Sequence, residues 1–295
     1  MTTRYTNDEW DSIILETEGE VLYRVASKQH ASAAQCPPIG SEAFTKTIDH
    51  TLLKLEAKQS QFDDLCAEAR VDRFATVCVR AQYVQQCVAD LKGSGVRVAC
   101  VIGFHEGTYD LYHKSQETKQ ALAAGAAELD IVINYPQLQK KSYASIYTEL
   151  AALRSQAPHP TTLKLILETS QLDASQIIAG CALAAAANFD FVKTSTGFNG
   201  AGATEENVRL MATCCDVLAA GGRARMQVKA SGGIRTLGDA VRMLEAGASR
   251  LGTSAGVWIA KEAKERVAEG NGRVVEAGEV REERPGLSTR LFTDY

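Results

Sequence analysis

Between residues 44 and 253 the chain alternates short apolar runs with amphipathic stretches, and this alternation restricts its possible folds more than any other feature. The apolar runs are rich in β-branched residues and cover 44–49, 74–79, 97–102, 128–133, 162–168, 189–193, 226–230 and 249–253. Strands separated by helical stretches are typical of a parallel sheet covered by crossover helices. Eight such units in 295 residues favour a closed barrel. We therefore predict an α/β fold, a single (β/α)8 TIM barrel.

The stretches between the runs carry signals for helix starts and stops. Asp173 and Thr204 stand where N-caps belong, and the Thr236-x-x-Asp239 pattern is typical of a capping box. Gly247 stands where a helix should end before the last strand. These signals predict helices on either side of strands six, seven and eight.

An added helix is predicted before the barrel. Residues 7–28 place Trp10, Ile14 and Val21 at mostly helical spacing, and a Pro- and Gly-containing turn follows. We predict three segments, which are an N-terminal helical extension with linker over 1–40, the catalytic barrel over 41–267 and a tail over 268–295.

The composition argues against several classes of partner. The net charge is -4 and no polybasic run occurs, so we expect neither nucleic acid nor an anionic membrane to be a partner. The polar first residues and the lack of a bilayer-length apolar run predict a cytoplasmic protein that does not enter a membrane. The 8 scattered cysteines without a CxxC pair are typical of a reducing compartment.

No cofactor is predicted. The histidines form neither an HxH nor an HExxH pattern, so we expect no metal site. A dinucleotide-binding sheet would carry G-x-G-x-x-G after its first strand, whereas this chain has Asp-His-Thr-Leu-Leu-Lys at 49–54.

Two lysines and two acids are expected at one end of the barrel. Lys193 ends strand six, Lys229 lies in strand seven, Asp130 lies in strand four and Asp49 ends strand one. A buried ammonium is costly, and a neighbouring lysine lowers its pKa further, which leaves one amine neutral and nucleophilic. Asp130, inside an apolar strand, either pairs with a cation or moves protons. This combination is what imine formation with a carbonyl substrate requires.

A phosphate site is predicted beside them. Gly232 and Gly233 precede a helix, and Gly252 to Ser254 precede another. Barrels frequently bind phosphate at the loops after strands seven and eight, on backbone N–H groups and helix N-termini.

Five segments of the sequence resemble the signature stretches of the deoxyribose-phosphate aldolases. They are DHTLLK at 49–54, VIGF at 101–104, ELDIVIN at 128–134, FVKTSTGF at 191–198 and VKASGGIR at 228–235. The resemblance covers residues from about 44 to 256. It implies a class I aldolase that splits 2-deoxy-D-ribose 5-phosphate reversibly into acetaldehyde and D-glyceraldehyde 3-phosphate without a cofactor.

The resemblance also implies roles for individual residues. Lys193 resembles the Schiff-base lysine, Lys229 the second lysine that lowers its pKa, Asp130 the proton-relay acid and Asp49 the acid beside the site. Tyr295 resembles the tail tyrosine that protonates the enamine in some members. Phosphate and sugar contacts are implied for Thr51, Gly197, Gly232, Gly233, Gly252 and Ser254. Phe198 stands where some members carry a lysine, so Arg235 is the candidate cation for the phosphate.

Two alternatives stay open at this point. The chain is also compatible with a Schiff-base aldolase of the same fold that uses another carbonyl donor, or with a phosphosugar-binding barrel that has lost catalysis. A homodimer formed through outer helices is expected, because closed two-fold dimers are common among soluble oligomers.

Overall fold

The computed structural model describes residues 5–27, 36–220, 222 and 224–270. Within them, eight parallel strands close a barrel in the order of the chain. The strands are β1 (Ile48–Thr51), β2 (Thr76–Val79), β3 (Arg97–Ile102), β4 (Glu128–Val132), β5 (Thr162–Ile166), β6 (Phe191–Lys193), β7 (Gln227–Ser231) and β8 (Arg250–Thr253). The predicted TIM barrel is confirmed.

Helices alternate with the strands, as the capping signals predict. They are α1 (Asn7–Ala26), α2 (Glu42–Thr45), α3 (Gln59–Asp72), α4 (Val84–Asp90), α5 (Leu111–Ala123), α6 (Tyr135–Gln139), α7 (Tyr143–Gln156), α8 (Ala174–Ala186), α9 (Glu205–Ala220), α10 (Leu237–Glu245) and α11 (Gly256–Ala268). Asp173 caps α8 by accepting from the amide of Gln176 at 2.8 Å. Thr204 accepts from the amide of Asn207 at 3.2 Å, and Thr236 forms the predicted capping box of α10.

Most predicted runs differ from the strands by one or two residues at an end, and for two of them the structure shows the reason. The first predicted run, 44–49, begins as the short helix α2 because Ser41 Oγ accepts from the amide of Phe44 at 3.2 Å, and β1 starts only at Ile48. The fifth run, 162–168, stops at Ile166, and Glu168 takes a left-handed φ of 59°. Local hydrogen bonding and backbone conformation set these ends, and neither follows from apolar patterning.

Helix α1 packs on the outside of the barrel. It contacts α7, α8 and α9. Trp10 is buried between Tyr5 and Tyr147, with ring centroids 5.2 and 5.1 Å away. Asn7 Oδ1 also accepts from the amide of Ala144 at 2.9 Å. The predicted boundaries at 40/41 and 267/268 stay predictions, and most of the tail lies outside the described residues.

The apolar core lies mainly between the strands and the surrounding helices. A smaller apolar group lines the barrel interior near its carboxyl end and comprises Leu53, Cys78, Ala99, Val101, Phe104, Val132 and Ile166. The barrel interior also holds buried charged side chains, among them Asp49, Asp130, Lys164 and Lys229. In the described part of the chain, no helix is long and apolar enough to cross a bilayer.

Candidate active site

The side chains of Lys193 and Lys229 meet on one carboxylate. The two residues are register partners on β6 and β7. Lys193 Nζ donates to Asp130 Oδ2 at 2.9 Å, and Lys229 Nζ donates to the same oxygen at 2.7 Å. Both lysines and Asp130 are buried. The amine, its cationic neighbour and the acid singled out from sequence therefore share one compartment.

The two lysines have pKa values shifted in opposite directions. Burial lowers the pKa of Lys193, and the charge of Lys229 lowers it further against the opposing effect of Asp130. Burial also acts to lower the pKa of Lys229, but Asp130 and Asp49 outweigh it and raise that pKa. Lys229 therefore stays an ammonium while Lys193 is the amine that loses its proton more readily.

Lys193, Lys229 and Asp130 belong to a larger set of buried charges inside the barrel, which we call the interior charge cluster. It comprises Asp49, Glu128, Asp130, Lys164, Lys193, Lys229 and Arg250, all of them buried. Asp49 forms an ion pair with Lys229 at 2.5 Å and accepts from Arg250 at 2.6 Å. Neighbouring cations offset the cost of burial and hold the pKa of Asp49 and that of Asp130 below their usual range.

Lys164 is a member of the cluster that sequence reasoning missed. It lies on β5 in register with Asp130 on β4, and its Nζ donates to Asp130 Oδ1 at 2.6 Å. It also lies 2.6 Å from Glu128 Oε2. The sequence signal that could have identified it is its place between the two leucines Leu163 and Leu165 in an apolar run. Lys193 and Lys229 lie at or near the ends of their predicted runs, where barrels place their chemistry, whereas Lys164 lies in the middle of its run.

A cavity of about 260 Å³ opens above the cluster. Lys193 is the cluster member that lines it, while Asp130, Lys229 and Asp49 lie behind. All the residues predicted to contact phosphate or sugar line this cavity, which are Thr51, Gly197, Gly232, Gly233, Arg235, Gly252 and Ser254. The structure thus brings together a candidate nucleophile and a candidate anion site.

Glycines shape the phosphate end of the cavity. Gly197, Gly232 and Gly233 have φ of 85°, 84° and 77°, a region that side chains disfavour. A Cβ on Gly202 would collide with the carbonyl of Gly232, so the two loops approach closely only without side chains. Backbone amides in such loops, next to the N-termini of α10 and α11, are suited to an anion.

Part of the cavity wall is apolar. Leu53 and Phe198 line it. The Phe198 ring stacks on His105 at 5.1 Å and meets the edge of Phe104 at 5.1 Å. Phe198 therefore offers no positive charge to a phosphate, and Arg235 is the arginine that lines the cavity.

Glu168 holds the loop that carries Gly197, a role that the sequence did not predict. Its carboxylate accepts from the amide of Thr196 at 3.2 Å, from the Thr196 hydroxyl and from Asn199 Nδ2 at 3.4 Å. Burial raises the pKa of Glu168, and the bonds from Thr196 oppose this. A left-handed glutamate stabilised by its own loop is a strained residue of the kind that clusters at functional sites.

Two further predictions, the role of Tyr295 and the absence of a metal site, stay predictions. Tyr295 lies outside the described residues. Among the residues that are described, no group of three or more His, Cys, Asp or Glu side chains is arranged to hold a metal ion.

Comparison with known proteins gives a consistent set of relatives. The family model described as "DeoC/LacD family aldolase" matches residues 44–263. A deoxyribose-phosphate aldolase of Coccidioides immitis is 50% identical over 258 residues, which are 88% of this chain and 92% of that protein. A deoxyribose-phosphate aldolase of Bdellovibrio bacteriovorus is 44% identical over 216 residues, which are 73% of this chain and 94% of that protein. A crystal structure from Coccidioides immitis has a TM-score of 0.79 at 48% identity and covers 90% of this chain and 100% of its own.

Proposed function

Since the chain belongs to the DeoC/LacD family of aldolases, we propose that it cleaves 2-deoxy-D-ribose 5-phosphate reversibly into acetaldehyde and D-glyceraldehyde 3-phosphate. The observation that carries this proposal is that Lys193, buried and with a lowered pKa, lines a cavity that is also lined by glycine loops next to helix N-termini. An amine nucleophile and an anion site in one cavity suit a phosphorylated aldehyde.

The first half of the proposed reaction joins substrate and enzyme. The neutral Lys193 nitrogen attacks C1 of the open-chain sugar to give a carbinolamine, which loses water to form an iminium. Asp130 Oδ2 lies 2.9 Å from that nitrogen and 2.7 Å from Lys229 Nζ. These two groups are therefore placed to take the proton from the amine and return one to the departing water.

The second half breaks the carbon–carbon bond. Acetaldehyde keeps two carbons and glyceraldehyde 3-phosphate three, so the C2–C3 bond breaks as the C3 hydroxyl loses its proton. The electron pair moves into the iminium and leaves an enamine on Lys193. Protonation of C2 and addition of water then release acetaldehyde and restore the amine. Phosphate binding, remote from this bond, fixes the orientation.

The proposed donor is acetaldehyde rather than a ketone or a keto acid. In the synthetic direction with glyceraldehyde 3-phosphate, we expect acetaldehyde to be turned over and dihydroxyacetone and pyruvate to react far more slowly, because Leu53 and Phe198 give the cavity an apolar wall. Product formation from each donor, measured by coupled assay and mass spectrometry, checks this. Faster turnover of either competing donor would assign the same fold to a different aldolase reaction.

The phosphate site is tested with Gly232→Ala. The new Cβ would lie 2.9 Å from Gly202 Cα, and its φ of 84° is unfavourable for alanine, so the loop must shift. Loss of one or two hydrogen bonds from backbone amides to the phosphate should lower kcat/KM for the phosphorylated sugar by about 10- to 100-fold. Unphosphorylated 2-deoxyribose should be affected much less.

A matched control for that variant is Gly93→Ala. Gly93 has a φ of 77° and open space around it, and it does not line the cavity. It therefore carries the same backbone strain without the loop shift. Equal losses for the phosphorylated and unphosphorylated sugars in Gly232→Ala would argue against a phosphate site at this loop.

Two further aspects belong to the proposal. We propose a homodimer that uses the outward face of α1, where Leu15, Leu22 and Tyr23 are 56%, 41% and 61% exposed.

We also propose a reducing, cytoplasmic location, because all 8 cysteines are free thiols.

A further inference from the structure

We infer that Lys164 is a positioning residue for the imine chemistry, because it neutralises Asp130 from within the barrel and so leaves Lys193 as the uncharged member of the interior charge cluster. The inference rests on the proposed function and deepens it. Lys164 does not line the cavity, so it acts through Asp130 rather than on the substrate.

Lys164 is the point where the three carboxylates of the cluster converge. Its Nζ lies 2.6 Å from Asp130 Oδ1, 2.6 Å from Glu128 Oε2 and 3.8 Å from Asp49 Oδ2. Its side chain is fully buried, as are those three carboxylates. Burial acts to lower the pKa of Lys164, but Asp130 and Glu128 outweigh it and raise that pKa. Lys164 is therefore a fixed positive charge at the working pH.

The count of buried charges then decides the state of Lys193. The cluster has the carboxylates of Asp49, Glu128 and Asp130, and the fixed cations Lys164, Lys229 and Arg250. These six charges balance. A protonated Lys193 would be a fourth cation without a fourth anion inside the cluster, and an uncompensated buried charge is costly. Loss of its proton removes that excess, which is the state that attacks a carbonyl.

Asp130 transmits the effect of Lys164 to Lys193. Lys164 occupies Oδ1, while Lys193 and Lys229 share Oδ2. Without Lys164, Asp130 would be less neutralised and would stabilise an ammonium on Lys193 more strongly.

Three other titratable groups face this region. Cys78 Sγ lies 4.0 Å from Asp130 Oδ2, and burial raises the pKa of this thiol, so it adds no charge. Glu168 interacts with Lys193 from β5's carboxyl end but is tied to the Thr196 loop. Arg97 contacts Glu128 at 2.6 Å from the far side, with half of its side chain in solvent. None of the three bonds to the Asp130 oxygen Oδ1 that Lys164 occupies.

The test is Lys164→Met, which keeps the length of the side chain and removes its charge. Activity requires neutral Lys193 and is lost as the pH falls through the pKa of that amine. Lys164→Met should raise this pKa, so the acidic limb of kcat/KM should move to higher pH by about one unit or more. The acidic limb of borohydride trapping of acetaldehyde on Lys193 should move by the same amount.

Charge compensation separates this role from a merely structural one. Glu128→Gln removes one anion, so alone it should move the acidic limb to lower pH. When Glu128→Gln is combined with Lys164→Met, the buried charges balance again. The acidic limb of the double variant should then lie close to that of the unmodified enzyme. Lys114→Met is the matched control, because Lys114 is also fully buried but pairs with Glu149 at 2.6 Å outside the cluster. Lys114→Met should lower the stability of the protein without shifting the acidic limb of kcat/KM.

The outcomes are distinguishable. If Lys164→Met folds but the acidic limb of its kcat/KM profile lies at the same pH as in the unmodified enzyme, the inference is wrong and the proposed function stands. Absence of any acetaldehyde adduct on Lys193 in the unmodified enzyme would overturn the proposed function, and the inference with it. Should Lys164→Met fail to fold, Glu128→Gln decides, since an unmoved limb in that variant contradicts the charge balance.

Discussion

Replacing Lys193 with alanine is expected to lower turnover of 2-deoxyribose 5-phosphate by on the order of 10⁴- to 10⁶-fold, because no other amine lines the described cavity and covalent catalysis is lost with it. The measurement is single-substrate kinetics together with circular dichroism to verify folding. Removing a buried amine that faces a cavity leaves Asp130 paired with Lys164 and Lys229, so we expect the barrel to fold.

A matched control for this variant is Lys261→Ala. Lys261 lies on α11 with 57% of its side chain exposed, and it pairs with Glu265 at 3.9 Å. Exposed pairs of this kind contribute little to stability, so turnover should be unchanged. If Lys193→Ala retained more than a few per cent of the activity of this control, another nucleophile would have to be found.

Replacing Lys229 with leucine is expected to lower turnover by about 10²- to 10⁴-fold, the range for groups that support proton transfer. Lys229 donates to Asp130 at 2.7 Å and forms an ion pair with Asp49 at 2.5 Å. Its loss removes the ammonium that lowers the pKa of Lys193 and leaves two carboxylates less neutralised. Lys193 then holds its proton to higher pH, so the residual activity should rise with pH over a range where the unmodified enzyme is already flat.

The measurement for Lys229→Leu is a pH profile of kcat/KM, with thermal unfolding as a check of the fold. Breaking a buried pair costs about 3–5 kcal/mol, so a lower Tm is expected as well. A variant with near-normal turnover at neutral pH would contradict the role of Lys229. A uniform loss without a shift of the profile would assign Lys229 to proton transfer alone.

The strands were predictable from sequence because a buried parallel strand is a continuous apolar run, and the runs that form β5, β6 and β7 are followed by helices with side-chain caps. The ends of the runs were less predictable. Phe44 is as apolar as any strand residue, yet a hydrogen bond to Ser41 places it in a helical turn. Likewise, no residue in the run 162–168 predicts that Glu168 takes a left-handed conformation.

The candidate site was predictable where chemistry coincides with strand ends. Lys193 ends β6, and the cavity that it lines also includes Gly232 and Ser254 after β7 and β8. Lys164 and Arg250 were missed because their importance arises from register across neighbouring strands. Lys164 lies opposite Asp130, and Arg250 opposite Lys229. A single sequence lists the charges but does not state which of them are neighbours.

The central claim is that the Lys193 nitrogen is the atom that captures the aldehyde. The direct measurement is to incubate the enzyme with acetaldehyde, reduce with borohydride, digest and map the modified peptide by mass spectrometry. We predict one ethyl adduct per chain, on Lys193, and none in Lys193→Ala. An adduct that maps to Lys229 or Lys164, or persists undiminished in Lys193→Ala, would contradict the account.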